Sequence, residues 1–190
     1  FLELEFAIFL GVMLSLGLYL KRTSQPAVHV RVPDPHQEKR KFATDPALPE
    51  CPQLRIVRID GSLFFGAINY VQERLREFEE QHPEQKHLAI VASGINFIDL
   101  AGGEFLVKEA KHRRKIGGQL YLIRVKESVC GEFKRAGFID ELGRENIFNG
   151  KTEAIWQIFQ RLDKDICARC RKRVFVECQS LPPPVGEGER

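Results

Sequence analysis

The sequence predicts an α/β fold: a partly parallel β-sheet packed against α-helices, with a transmembrane helix at its N-terminal end. Three observations carry this expectation. From Leu54 onward, short apolar runs of strand character alternate with stretches whose apolar residues recur at helical spacing. The run HLAIVA at 87–92 is apolar almost without interruption, as a central strand covered on its faces would be. Residues 6–20 (FAIFLGVMLSLGLYL) carry no charge, and Lys21 and Arg22 follow at once.

The N-terminal run is taken first. A spanning helix wants about 20 apolar residues. The run is slightly short for that but long for a buried core helix, and its basic end fits a cytoplasmic exit. A signal peptide would place basic residues before the run and a small-residue cleavage site after it. Here Glu3 and Glu5 come before and the following charge is positive, so a membrane helix is expected. The first residue is Phe1 rather than methionine, and a piece of something longer is expected. Residues 21–52 read as a linker, because Pro26, Pro33, Pro35, Pro46, Pro49 and Pro52 exclude a long helix. Within it, AVHVRV at 27–32 alternates and is β-branched enough to add an edge strand. The cluster EKRK at 38–41 either stays solvated or touches anionic headgroups.

Residues 54–59 (LRIVRI) form a strand candidate, and Asp60-Gly61 reads as a turn to a second short strand at 63–65. Gly66 then leads into a helix with Ile68, Val71, Leu75 and Phe78 on one stripe and Glu73, Arg74, Arg76 and Glu77 on the wet face. His82-Pro83 stops it. After the central strand comes a polar turn, with Asp99 where an N-cap belongs and Gly102 and Gly103 leaving the next helix's first turn bare. A bare helix N-terminus presents unpaired N–H groups and a positive dipole end, which suits an anion or a docking partner. That helix carries Leu106 and Ala110 and closes with KHRRK at 111–115 before Gly117-Gly118. A strand follows at 119–125, then a short helix capped by Ser128 that carries Val129, Phe133 and Ala136 and stops at Gly137. A last helix starts near Lys151 and bears the stripe Ile155, Phe159, Leu162, Ile166. The tail at 181–190 holds three prolines and two glycines, and disorder is expected there.

At 190 residues the chain accommodates one domain with extensions, and its 43% hydrophobic content is ordinary. A formal net charge of +3 is too small to argue for nucleic acid. Five cysteines, an odd number unevenly spread, fit reduced thiols better than a disulfide framework.

The runs DGSLFFG at 60–66 and NFID at 96–99, in this order with a helix between them, closely resemble the STAS domain. That module is shared by anti-sigma-factor antagonists and by the cytoplasmic tails of SulP-family anion transporters, and the two runs resemble the transporter branch in particular. The resemblance implies residues 1–20 as the end of a membrane domain, 21–52 as linker, 53–166 as a STAS-type fold and 167–190 as a cysteine-containing extension and tail. It implies the regulatory STAS part of a secondary transporter of sulfate or a related inorganic or organic anion, multi-pass in the inner membrane with the STAS domain cytoplasmic. The partners it implies are an upstream membrane transport domain, a second copy in a homodimer, lipid, and a cytoplasmic regulatory protein or a small anion or nucleotide. No cofactor is implied. The alternative is a membrane-tethered STAS signalling module that binds a regulatory protein in the manner of an anti-sigma-factor antagonist.

The candidate regulatory or partner-binding loop is Asp99, Leu100, Ala101, Gly102 and Gly103. In the anti-sigma-factor antagonists the residue after the loop aspartate is a phosphorylated serine; here it is Leu100, which has no hydroxyl, so the phospho-switch does not carry over. Ser93, six residues before Asp99, is a poor substitute. The plain structural role for Asp99 is an N-cap worth about 1 kcal/mol. Cys167, Cys170 and Cys178 are the metal-like set, but a tetrahedral site usually needs four ligands. Cys51 or a histidine would have to supply the last, and otherwise these are small apolar contacts. The basic patch of Lys108, Lys111, His112, Arg113, Arg114 and Lys115 lacks interleaved aromatics and reads as a solvated helix end. The five histidines form no ligand pair or triad, and Gly102-Gly103 lack the Lys-Ser/Thr of a phosphate-cradling loop, so no enzyme is expected.

Overall fold

The computed structural model describes residues 2–33, 42–45 and 47–182. The charge cluster at 38–41 and most of the expected disordered tail, 183–190, lie outside these residues. The first helix, α1 (Leu2–Thr23), is longer than the uncharged run, because Glu3 and Glu5 lie in its first turn and Lys21 and Arg22 in its last. Those charges complement the helix dipole at both ends. Its 22 residues rise about 33 Å, and the helix is long and apolar enough to cross a membrane, with none of its apolar window buried.

The chain then enters a sheet. The edge strand β1 (Ala27–Val30) runs antiparallel to β4 (Leu54–Leu63), with Val28 opposite Ile59, so the alternation at 27–32 does place a strand within the proline-rich stretch. Two short segments, β2 (Val32–Pro33) and β3 (Phe42–Ala43), pair with each other. The remaining strands are β5 (His87–Val91), β6 (Ile95–Ile98), β7 (Leu120–Ile123) and β8 (Ile147–Phe148). The main sheet has the order β1-β4-β5-β7-β8, with every pair parallel except β1 with β4; β6 joins the far end of β4, also parallel.

Helices cover both faces. On one lie α2 (Phe65–Gln81), α3 (Leu100–Lys115), α4 (Glu127–Arg135) and α5 (Phe138–Leu142); on the other lie α6 (Lys151–Arg161) and α7 (Lys164–Arg169). The period-2 pattern of the strands divides the core accordingly. Val57, Ile59, Leu88, Ile90, Leu120 and Leu122 face α2 and α3, whereas Ile56, Ala89, Val91, Tyr121 and Ile123 face α6. Each fully buried Leu or Ile here contributes about 1.5–3 kcal/mol of transfer free energy.

Three local expectations are corrected. The expected turn at Asp60-Gly61 does not form: β4 runs on to Leu63, bending at Gly61, where φ is 141° and the ladder to β6 shifts register. A Cβ at Gly61 would stand 2.8 Å from Pro26 Cβ, so close approach as well as backbone conformation demands glycine there. Ser128 is not a cap: α4 starts at Glu127 and its N-cap Lys126 makes no side-chain cap bond. The long last helix is two. Buried Gln53 accepts from the Asp163 amide (2.9 Å), which is thereby satisfied outside a helix, and donates to the Asp163 carbonyl (3.0 Å), which also accepts the Cys167 amide (3.0 Å) as the first bond of α7. The Asp163 carboxylate then caps α7 through the amides of Asp165 and Ile166 (2.8 and 3.3 Å), and Ile166 leaves the core, 38% exposed.

Candidate functional site

The loop between β6 and α3 is organised by Asp99. Its backbone is extended, and its Oδ1 accepts from the Gly102 amide at 2.7 Å, the expected N-cap bond. Its other oxygen, Oδ2, accepts from the Phe65 amide at 3.0 Å. Phe65 is the first residue of α2, whose own N-cap, Phe64, makes no side-chain cap bond. One carboxylate therefore caps two helices, from 34 residues away in the second case, and sits at two positive dipole ends. The Asp99 amide donates to Leu63 O (3.3 Å) and its carbonyl accepts from Gly103 (3.0 Å), which ties the loop to the end of β4.

The two glycines serve close packing. Both are buried. A Cβ on Gly102 would lie 2.2 Å from Leu63 O and one on Gly103 would lie 2.2 Å from the Phe138 ring, so the bare turn lets α3 press against β4 and α5. The loop's exposed surface is instead apolar. Leu100 is 63% exposed, Phe97 on β6 54% and Phe65 75%, while Ala101 is half-buried. Ser93 lies in the 3₁₀ turn Ala92–Gly94, away from the helix N-terminus.

The basic end of α3 is neutralised more than a solvated patch would be. Arg113 is only 3% exposed and pairs with Glu79 (3.0 Å) and Glu109 (2.6 Å), while His112 Nε2 meets Glu79 at 2.9 Å. Lys111 pairs with the Glu141 carboxylate and Arg114 bonds its carbonyl, joining α3 to α5. An open groove of about 550 Å³ runs between α2 and α3 past Gln72, Arg76, Glu79, Lys108 and His112.

The cysteine candidates are not brought together as ligands. Cys167 is buried and its Sγ accepts from Gln53 Nε2 at 3.3 Å; Cys170 lies past the end of α7 in extended conformation, so the expected shared helix face is not formed. Among the described residues, no group of three His, Cys, Asp or Glu is placed to hold a metal ion. Burial pushes the Cys51 thiol up to about 12 and raises those of Cys167 and Cys178, which disfavours the thiolate a metal would need. His87 stacks on Tyr121 (5.9 Å between ring centroids), and burial holds its imidazole below the usual range. Its Nδ1 lies 3.3 Å from the Tyr121 hydroxyl, a contact within the core rather than at the candidate loop.

Residues 45–154, which build most of this mostly parallel sheet and the capped loop between β6 and α3, match the family model of the STAS domain. The chain belongs to the STAS domain family. The matched residues include β4, α2, the Asp99 loop and α3. The chain is 25% identical over 176 residues to sulfate transporter 1.2 of Arabidopsis thaliana, covering 87% of this chain and 27% of that protein. A crystal structure of a sulfate transporter family protein from Wolinella succinogenes superposes with a TM-score of 0.51 at 26% identity, covering 67% of this chain and 96% of that one. The murine solute carrier 26 family member A9 anion transporter shares the fold, with a TM-score of 0.70 at 19% identity, over 82% of this chain and 26% of that chain. This STAS chain thus spans about a quarter of the length of the curated relatives it matches.

The bond from Phe65 to Asp99 was missed by sequence reasoning. The signal available was indirect: α2 begins with Phe-Phe-Gly and offers no capping side chain of its own.

Proposed function

We propose that this chain is the C-terminal regulatory portion of a SulP-like secondary anion transporter, for sulfate or a related inorganic or organic anion. In this reading α1 is the last membrane helix, the sheet and its helices form the STAS domain on the cytoplasmic side, and an upstream membrane domain supplies the transport path. The observation that carries it is the union in one short chain of a STAS fold with a fully exposed apolar helix, in a sequence similar to sulfate transporters along most of its length. The transporter acts as a homodimer, and residues 99–103 form the loop through which the domain meets its surroundings. The loop carries no phosphate switch, because Leu100 offers no hydroxyl. The chain alone moves no anion, since a single helix has already used its backbone hydrogen bonds internally and residues 6–20 offer only Ser15 and Tyr19 as polar side chains.

The test is extraction and topology. Membranes expressing the chain are washed in alkaline carbonate and then treated with protease on the cytoplasmic side. The chain should remain in the pellet and lose its C-terminal domain to the protease; release into the wash, or a protected C-terminus, overturns the reading. Labelled sulfate uptake by vesicles holding only this chain would overturn the division between transport path and regulatory tail.

A second reading is favoured by the exposure of Leu100 at the Asp99 loop. In it the chain is a membrane-tethered signalling module whose loop binds a regulatory protein. Cross-linking from position 100 to a soluble protein in cells would support it, and an empty result would leave the transporter reading in place.

A further inference from the structure

The three exposed apolar side chains around Asp99 stand at one place. Phe65 is bonded to Asp99 through its amide, Leu100 follows Asp99 directly, and Phe97 lies two residues before it on β6, where Ile98 pairs with Leu63. Single exposed apolar residues are ordinary, but three large ones gathered at the N-termini of two helices call for a cover.

The path of α1 indicates what that cover is. The helix ends beside this rim: the Ser24 amide donates to Leu20 O at 3.0 Å, and a Cβ built on Gly66 would lie 3.4 Å from Ser24 Oγ. Gly66 is the neighbour of Phe65, so the last turn of α1 and the rim are a side chain's length apart. The exposed apolar surface of α1 reaches Leu20, one turn before Ser24, and Phe65 adjoins Ser24 through its neighbour Gly66. Cations belong to the neighbouring segments. Lys21 and Arg22 close α1, and Lys126 donates to Asn96, the residue before Phe97. Apolar side chains flanked by lysine and arginine are the composition of a shallow insertion into the boundary between headgroups and acyl chains. A stable protein interface takes roughly 20–30 residues a side, far more than this rim presents.

We infer that Phe65, Phe97 and Leu100 rest in the headgroup–acyl boundary of the bilayer that α1 crosses, seating the Asp99 loop on an anionic lipid surface. The inference rests on the reading of α1 as a membrane helix. It places the N-termini of α2 and α3 against the membrane, with α6, on the sheet's other face, in water.

The test uses the full chain in vesicles of phosphatidylcholine and phosphatidylglycerol, with and without bromine atoms high on the acyl chains. Trp156, the chain's single tryptophan, lies half exposed on α6 and should keep its emission in brominated vesicles. In a Trp156→Phe background, Phe97→Trp and, separately, Leu100→Trp should each lose most of their emission to bromine, and replacing phosphatidylglycerol by neutral lipid should weaken that loss. Phe9→Trp in the same background reports α1 itself. Quenching at position 9 with none at 97 or 100 overturns the inference and leaves the membrane helix standing. No quenching at position 9 overturns the membrane reading beneath it. Blue-shifted but unquenched emission at 97 and 100 means that protein, not lipid, covers the rim, and also overturns the inference.

Discussion

Gly102→Ala sets two physical effects against each other, and their sizes decide the sign. In an open helix the exchange stabilises by about 1 kcal/mol, because alanine loses less backbone entropy. At Gly102 the new Cβ would lie 2.2 Å from Leu63 O and 2.8 Å from Ile98 Cγ1. Ordinary carbon contacts sit near about 3.5 Å, so the helix or the end of β4 must move by more than an ångström. The nearest atom is backbone, which has no rotamer to retreat into. Overpacking of this kind costs about 1–3 kcal/mol, with rigid neighbours at the upper end. The net expectation is a loss of about 2 kcal/mol. Gly131→Ala is the control: it lies within α4 with nothing within 4 Å of its Cβ, and it should gain about 0.5–1 kcal/mol. Urea unfolding of the chain in mild detergent, followed by Trp156 emission, should show a midpoint lowered by roughly 1 M for Gly102→Ala, at unchanged slope, and raised for Gly131→Ala. Equal and positive shifts for the two variants would refute the packing argument and return the glycines to the role of an open N-terminus awaiting a ligand.

The other predictions concern neighbouring residues. Asp99→Ala removes the acceptor for both Gly102 and Phe65 and should cost about 2 kcal/mol, while Asp99→Ser, which keeps the local cap but cannot reach α2, should recover about half; equal losses in urea unfolding would show the bridge to Phe65 to contribute nothing. Leu100→Ser, at an exposed position, should change stability by less than about 0.5 kcal/mol in the same assay, and a loss of several would show Leu100 to belong to the core. For His87, burial lowers the folded-state pKa below its ordinary 6.5, so the unfolded chain binds more protons in acid. Its share of stability is complete above pH 6.5 and erodes as pH falls below that value; the difference in stability between pH 7.5 and 5.5 should shrink in His87→Asn, and an unchanged difference would exclude His87 as its source.

The elements legible in the sequence were those whose pattern is local and long. The stripe of α2, the apolar run of β5, the Asp99 cap and the stop of α3 at Gly117 are each decided within about two turns of chain, and each forms where the residues require it. What was not legible is set by distant partners. Strand β6 exists because it finds the end of β4, and with only Ile95 and Ile98 buried its four residues carry no period-2 pattern. The break between α6 and α7 is imposed by Gln53, 110 residues away, while the stripe of apolar residues runs unbroken across it. At Asp60-Gly61 the local turn chemistry was outweighed by β6 pairing with the extended strand, and the glycine served a bend and the approach of Pro26 instead.

The same distinction applies to the candidate loop. Its N-cap could be read from Asp99 and its place in the chain, but not that the cap's second oxygen is committed to α2. That second bond changes what the loop offers. With both carboxylate oxygens holding amides and both glycines pressed into neighbours, the side chains the loop exposes are apolar. Leu100 stands at the first turn, where a hydroxyl would be needed for a phosphate to add charge. What remains for recognition is apolar surface held at a fixed orientation by the shared cap. The proximity of Phe65 to the end of α1 then links the loop's orientation to the position of that apolar helix, through the carboxylate that caps α2 and α3.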